Sequence, residues 1–166
     1  MKTFKGKPVT LIGDTKKVGD SAPDFKVLNN KNEYVTLNDY KTKYIILNVV
    51  PSLDTTVCDR QTRTVNQELS DIDDMTVLTI SNDLPFAQAR WCGNAGLDNV
   101  ITLSDYIDLD FANKYGTYIK ELRLQARSVF VLDEQRKIIY TEYVDEMSSH
   151  LDFDQLLNFV KNLPKE

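Results

Sequence analysis

The sequence predicts an α/β fold on a mixed central sheet, and three observations support that expectation. Residues 44–50 (Tyr-Ile-Ile-Leu-Asn-Val-Val) are β-branched and nearly continuous in apolar character, the pattern of a buried strand. From there to residue 103 strand-like and helix-like segments alternate, which favours parallel strands with helices packed against them. Ahead of this core lies a β-rich start punctuated by turn residues.

Each element has its own local cause. Residues 9–12, a turn at Gly13-Asp14 and a return strand through Lys17 read as an N-terminal hairpin, because Gly and Asp tolerate positive φ. Strands over 25–28 and 34–37 flank the turn signal Asn29-Asn30-Lys31-Asn32. Pro51 ends strand 44–50 by withholding a ladder donor. A helix over about 55–70 follows, capped by Asp54 or Thr55, with Val57, Val65, Leu69 and Ile72 at roughly helical spacing. Then come a strand over 75–81, a helix over 85–95, a strand over 100–103 and a short helix over 108–115. A hairpin of 128–133 with 137–144 and an amphipathic helix over 153–163 complete the chain.

The 166 residues, 42% of them hydrophobic, suffice for one domain with a sizeable core, expected to span 1–166 with residues 1–18 as a hairpin extension. A net charge of −5 with dispersed basic residues argues against nucleic-acid binding. Residues 1–13 lack the apolar stretch of a signal peptide and no run approaches a membrane span, so no membrane association and a cytoplasmic location are expected. Two cysteines and one histidine are too few for a tetrahedral structural zinc site, and neither a CxxC pair nor a Gly-rich phosphate loop is present. Neither metal nor cofactor is expected.

Cys58 carries the chemistry. In the first turn of its helix it meets unpaired N–H groups and the positive end of the macrodipole, which favour S⁻ over SH. The bland alternative is a small buried hydrophobe. The spacing Pro51, Thr55, Cys58 (Pro-x-x-x-Thr-x-x-Cys) resembles the peroxidatic signature of the peroxiredoxins, and the fuller segment resembles their thiol peroxidase branch, the atypical two-cysteine members. Three other segments agree. Residues 18–25 resemble an early peroxiredoxin segment, 81–92 the segment carrying the resolving cysteine, and 127–133 the strand carrying the active-site arginine.

The resemblance implies a thioredoxin-like fold with an N-terminal β-hairpin and thioredoxin-dependent reduction of hydrogen peroxide and alkyl or lipid hydroperoxides, in antioxidant defence. It also implies a homodimer. Cys58 would be the peroxidatic nucleophile, its sulfenic acid condensing with Cys92 into an intramolecular disulfide that thioredoxin reduces. Arg127 would stabilise thiolate and transition state, Thr55 would contact the sulfur or the peroxide oxygen, and Pro51 would wall off the pocket.

Each role has a rival. Thr55 could be an N-cap alone, Pro51 a strand terminator and Cys92 core packing beside Trp91. By composition Arg123 competes with Arg127, and by helical proximity so do Arg60 and Arg63. Asp59 should oppose a thiolate unless it points to solvent, and reads as structural at the helix start. Val65 and Trp91 are placed outside the chemistry, and His150 reads as a surface residue. Rival classes are a structural protein on the same fold and a thiol redox sensor, which shares the first step but saturates after about one equivalent of peroxide.

Overall fold

The computed structural model describes residues 1–69, 72–96 and 100–164. β1 (Thr3–Phe4) and β2 (Lys7–Pro8) pair antiparallel about a two-residue turn in which Lys5 and Gly6 take φ of 50° and 80°. Positive φ at both central residues matches the twist of the flanking strands. The N-terminal hairpin therefore exists within residues 1–18, but not where the turn residues Gly13-Asp14 predict it. β3 (Leu11–Ile12) has no return strand through Lys17 and pairs antiparallel with residues 118–119. Gly13 serves a close approach rather than a hairpin turn: a Cβ there would lie 2.5 Å from the Asn113 carbonyl oxygen.

β4 (Lys26–Leu28) and β5 (Tyr34–Thr36) form the next hairpin, its turn held by Asn29 Oδ1, which accepts from the Lys31 and Glu33 amides. A 3-10 turn over Leu37–Asp39 takes up the end of the expected strand 34–37. β6 (Tyr44–Val49) is buried along its whole length. α1 (Thr56–Leu69) follows, and the expected helix end at residue 70 lies outside the described residues. After β7 (Met75–Ser81), α2 (Pro85–Ala95) starts with proline, whose missing N–H costs nothing there, and stops at Gly96 with φ 68°. β8 (Ile101–Ser104), α3 (Asp110–Tyr115), β9 (Tyr118–Ile119), β10 (Leu124–Gln125), β11 (Ser128–Leu132), β12 (Ile138–Tyr143) and α4 (Phe153–Lys161) complete the order. β9 and β10, two residues each, are too short for alternation to reveal them.

The main sheet runs β12-β11-β6-β7-β8-β4-β5. β6, β7 and β8 are parallel, and the strands on either side join antiparallel, so the sheet is mixed as expected. Period-two alternation along β6 sends Ile46 to one face, against Val65 and Leu69 of α1 and Leu156 and Val160 of α4. Ile45 and Leu47 go to the other, with Phe25, Phe111 and Tyr115. A third apolar cluster of Val50, Leu53 and Cys58, with Trp91 packed against it, sits beyond the C-terminal end of β6.

Candidate active site

The site begins where β6 stops. Pro51 is buried, and the Ser52–Leu53 bend behind it is fixed by one carboxylate: Asp83 Oδ1 accepts from the Ser52 hydroxyl (2.7 Å), and Oδ2 from the Leu53 amide and the Ser81 hydroxyl (both 2.8 Å). Thr55, not Asp54, caps α1. Its Oγ1 accepts the Cys58 amide at 3.2 Å and donates to the Ser52 carbonyl at 3.3 Å, a cap of the kind worth ~1 kcal/mol. One lone pair of that hydroxyl remains uncommitted.

Cys58 is fully buried, and Arg127 Nη2 donates to its Sγ at 3.1 Å. Arg127 directly precedes β11, and its guanidinium crosses beneath the start of α1. Nη1 donates to Gln61 Oε1 (2.8 Å) and Nε to the Met147 carbonyl (2.9 Å). The side chain is itself buried, and among the described residues no carboxylate lies in ion-pair range of it. A buried cation held only by neutral acceptors and one sulfur is electrically complete when that sulfur is a thiolate.

Gln61 extends the network inward, donating to Asn48 Oδ1 and to the Val49 carbonyl, while Asn48 donates to Thr62 and Thr79. The roles of Gln61, Asn48 and Asp83 are not legible in the sequence, where polar residues on a helix, in a strand and in a loop carry no sign of burial. An Asn inside the apolar run 44–50 is the one visible anomaly.

A cavity of about 270 Å³ opens against this machinery. Pro51, Thr55 and Arg127 line it, together with Phe4 of β1 and Met147. Three of the nominated residues thus share one cavity, and Cys58 lies one hydrogen bond behind it through Arg127.

Cys92 is elsewhere. It is half-buried on α2, with Sγ 3.4 Å from Thr102 Oγ1 and 3.9 Å from Asn30 Nδ2. Thr102 spends its hydroxyl proton on Asn30 Oδ1 at 2.9 Å, so in the sulfur contact it is the Cys92 S–H that donates. Both thiols are free.

The competing cations resolve plainly. Arg63 pairs with Asp59 (3.0 Å) and donates to the Ala95 carbonyl (3.2 Å), while Arg60 and Arg123 are exposed. His150 is exposed and packs on Phe153, its pKa held below the ordinary value by desolvation and the charges of Arg60 and Arg127. Asp59 is structural, though not by facing solvent: Oδ2 takes Arg63 and Oδ1 takes the Trp91 indole N–H at 2.7 Å. Trp91, expected outside the chemistry, packs against the cluster of Val50, Leu53 and Cys58. Val65 lies in the core as its spacing implied.

Residues 17–157 match the Redoxin family. The thiol peroxidase of Bacillus subtilis (strain 168) is 56% identical over 163 residues, covering 98% of each chain. That of Staphylococcus aureus (strain MRSA252) is 55% identical over 161 residues, 97% of this chain and 98% of its own. Among solved structures, a peroxiredoxin-like protein from Aquifex aeolicus superposes with a TM-score of 0.91 at 36% identity, over 98% of this chain and 96% of its own. A thiol peroxidase from Chromobacterium violaceum, at 21% identity and a TM-score of 0.87 over 96% and 95%, shares the thioredoxin-like fold. Arginine, sulfur and capped helix therefore sit within a scaffold shared end to end with these relatives, and the chain belongs to the Redoxin family, among its thiol peroxidases.

Proposed function

We propose that Cys58 is the nucleophile through which this thiol-dependent peroxidase reduces hydrogen peroxide and organic hydroperoxides. The observation that carries the reading is the 3.1 Å contact between Arg127 and Cys58 Sγ, with no carboxylate competing for the guanidinium among the described residues. The thiolate attacks the terminal peroxide oxygen, an S–O bond forms as O–O breaks, and water or alcohol leaves. Arg127 faces the charge that develops on the leaving oxygen. The uncommitted lone pair of Thr55 accepts the peroxide hydrogen, and Pro51 excludes solvent. The sulfenic acid then condenses with the Cys92 thiol, forming S–S and releasing water, and thioredoxin reduces the disulfide by exchange. The cytoplasm, which keeps thiols reduced, suits two free cysteines.

A homodimer is part of the reading. Leu84, Phe86, Tyr106 and Ile107 are 48%, 71%, 38% and 53% exposed beside the C-terminal ends of the neighbouring strands β7 and β8, the kind of apolar group that marks an interface. Sedimentation at twice the chain mass checks it.

The deciding experiment couples peroxide reduction to NADPH through thioredoxin reductase and thioredoxin. Wild type turns over; Cys58→Ser does not; Cys92→Ser consumes about one equivalent and stops. Non-reducing peptide mapping after stoichiometric peroxide yields a Cys58–Cys92 peptide within one chain, and two free thiols at that point would refute the assignment.

A further inference from the structure

The chain contains three methionines, and each has a different setting. Met1 is 92% exposed. Met75 is 7% exposed and begins β7, where it pairs with Tyr44, at the opposite end of β6 from Pro51. Met147 is fully buried at 0%, yet it lines the cavity with Pro51, Thr55 and Arg127. Exposure alone ranks Met147 last for attack by an oxidant from solution.

Its neighbours rank it otherwise. Cys58 is equally buried and lies behind the same wall, so a peroxide reaches the Cys58 sulfur only as wall side chains move, and Met147 is part of that wall. Arg127 is bound to Met147 twice: its amide donates to Met147 Sδ (3.3 Å) and its Nε to the Met147 carbonyl (2.9 Å). The thioether thus sits against the backbone of the residue whose guanidinium faces the leaving oxygen. It is a polarisable sulfur, and the single Arg127 donor leaves it a second lone pair.

We propose that Met147 is an oxidation site for the protein's own substrate, a hydroperoxide that enters the cavity once Cys58 is spent and converts the thioether to a sulfoxide. The inference rests on the functional reading above, in which peroxide occupies this cavity. The sulfur lone pair attacks the terminal peroxide oxygen, an S–O bond forms as O–O breaks, and water or alcohol leaves; the sulfur gives up two electrons and the peroxide takes them. The product is polar and one oxygen larger inside a packed wall, where added volume forces neighbours to shift. The carbonyl that anchors Arg127 Nε belongs to the same residue. Oxidation therefore loosens Arg127 and slows the next attack on peroxide.

The test exposes the full chain as Cys58→Ser, whose cavity has no competing thiol, to hydrogen peroxide and follows the gain of one oxygen at each methionine by peptide mass mapping. Met147 should oxidise about tenfold faster than Met75 or more, a small part of what proximity within one cavity can supply. In denaturing urea the two rates should converge. A Met147 no faster than Met75 in the folded chain, or a preference that persists in urea, overturns the site. The same mapping on wild type during thioredoxin-coupled turnover guards against misfolding of the variant: oxygen should accumulate at Met147 ahead of Met75, and its failure to do so also overturns the site. The effect on Arg127 is read by stopped-flow reaction of Met147→Gln, which puts a polar group in place of the thioether, against Met147→Leu, which keeps an apolar one. The glutamine variant should react about tenfold more slowly, part of the ~10²-fold that loss of the whole guanidinium costs, and equal rates overturn that consequence. Wild type that does not reduce peroxide at all overturns the functional reading itself, a result distinct from these.

Discussion

Arg127 concentrates the site's energetics, because a guanidinium buried among a carbonyl, an amide oxygen and a sulfur has left water without a carboxylate partner among the described residues. Arg127→Ala is therefore expected to slow the second-order reaction with peroxide ~10²-fold or more, by stopped-flow measurement, as removal of a donor aimed at transition-state charge does. Arg60→Ala, which alters an exposed cation, is expected to react like wild type; an equal loss there would reassign the role. A second buried charge affects stability instead. Asp105 is 2% exposed and its pKa is raised from 3.8 to about 6 by burial, against the lowering hydrogen bonds from the Ala112 and Phe111 amides and Gln125. Between those two values the folded state holds more protons than the unfolded one. Stability contributed at this site is thus highest below about pH 4, falls as pH rises to about 6, and is level above. Denaturant unfolding of wild type relative to Asp105→Asn should show a loss on the order of 2–3 kcal/mol across that window, and a parallel pH course would disprove the buried titration. At this scale Pro51, Thr55 and Cys58 were legible because their spacing is local. Gln61 and Asp83 were not, because each acquires its role from partners distant in sequence.

α1 and α2 are joined by a cluster that has no counterpart in the Cys58 motif. Trp91 donates to Asp59 at 2.7 Å, the Arg63 guanidinium lies 5.4 Å from the Trp91 ring centre, and Arg63 also reaches the Ala95 carbonyl at 3.2 Å. These contacts tie α1, at Asp59 in its first turn and at Arg63 beyond it, to the helix bearing Cys92. Unwinding that brings the two sulfurs together is expected to break the Trp91–Asp59 bond. Trp91→Phe keeps the ring and removes the N–H donor. It should accelerate disulfide formation by about an order of magnitude, the worth of a hydrogen bond to a charged acceptor, without changing the initial attack on peroxide. Rapid quenching with an alkylating agent and mass mapping separates the two steps, and an unchanged second step would show that the cluster does not restrain the helices. Helix and strand bounds were largely readable because caps and breakers are local: Thr55 at the start of α1, Pro85 at the start of α2, Gly96 at its end. The hairpin shows the limit. Gly13-Asp14 carries the same residues as a turn, yet Gly13 answers to Asn113 across space, while both amides of the true turn at Lys5-Gly6 donate to the distant Glu146 carboxylate.

On the scale of the whole molecule, the alternation of strands and helices was visible in the sequence, but the order of strands across the sheet was not, since pairing such as β11 with β6 joins residues far apart in the chain. That order bears on the disulfide step proposed above. Cys58 Sγ is engaged beside the start of β11, through Arg127, and Cys92 Sγ beside β8, through Thr102. β6 and β7 lie between those strands, so β11 and β8 stand about 14 Å apart at the usual interstrand spacing. A disulfide requires Cα atoms within about 7 Å and side chains turned toward each other. In the folded arrangement both thiols are free and each sulfur has another partner, so oxidation is expected to unwind the start of α1, the α2 segment around Cys92, or both. Trp91 is the only tryptophan, adjoins Cys92 and packs against the Cys58 cluster, so its emission reports the change from both sides. Stopped-flow fluorescence should resolve a peroxide-dependent phase for the sulfenic acid, then a peroxide-independent phase for unwinding and disulfide closure, with recovery on adding thioredoxin. Cys92→Ser should keep the first phase and lose the second. If reduced and oxidised structures superposed through residues 55–60 and 85–95, the disulfide would have formed without unwinding and this account of the rearrangement would be wrong.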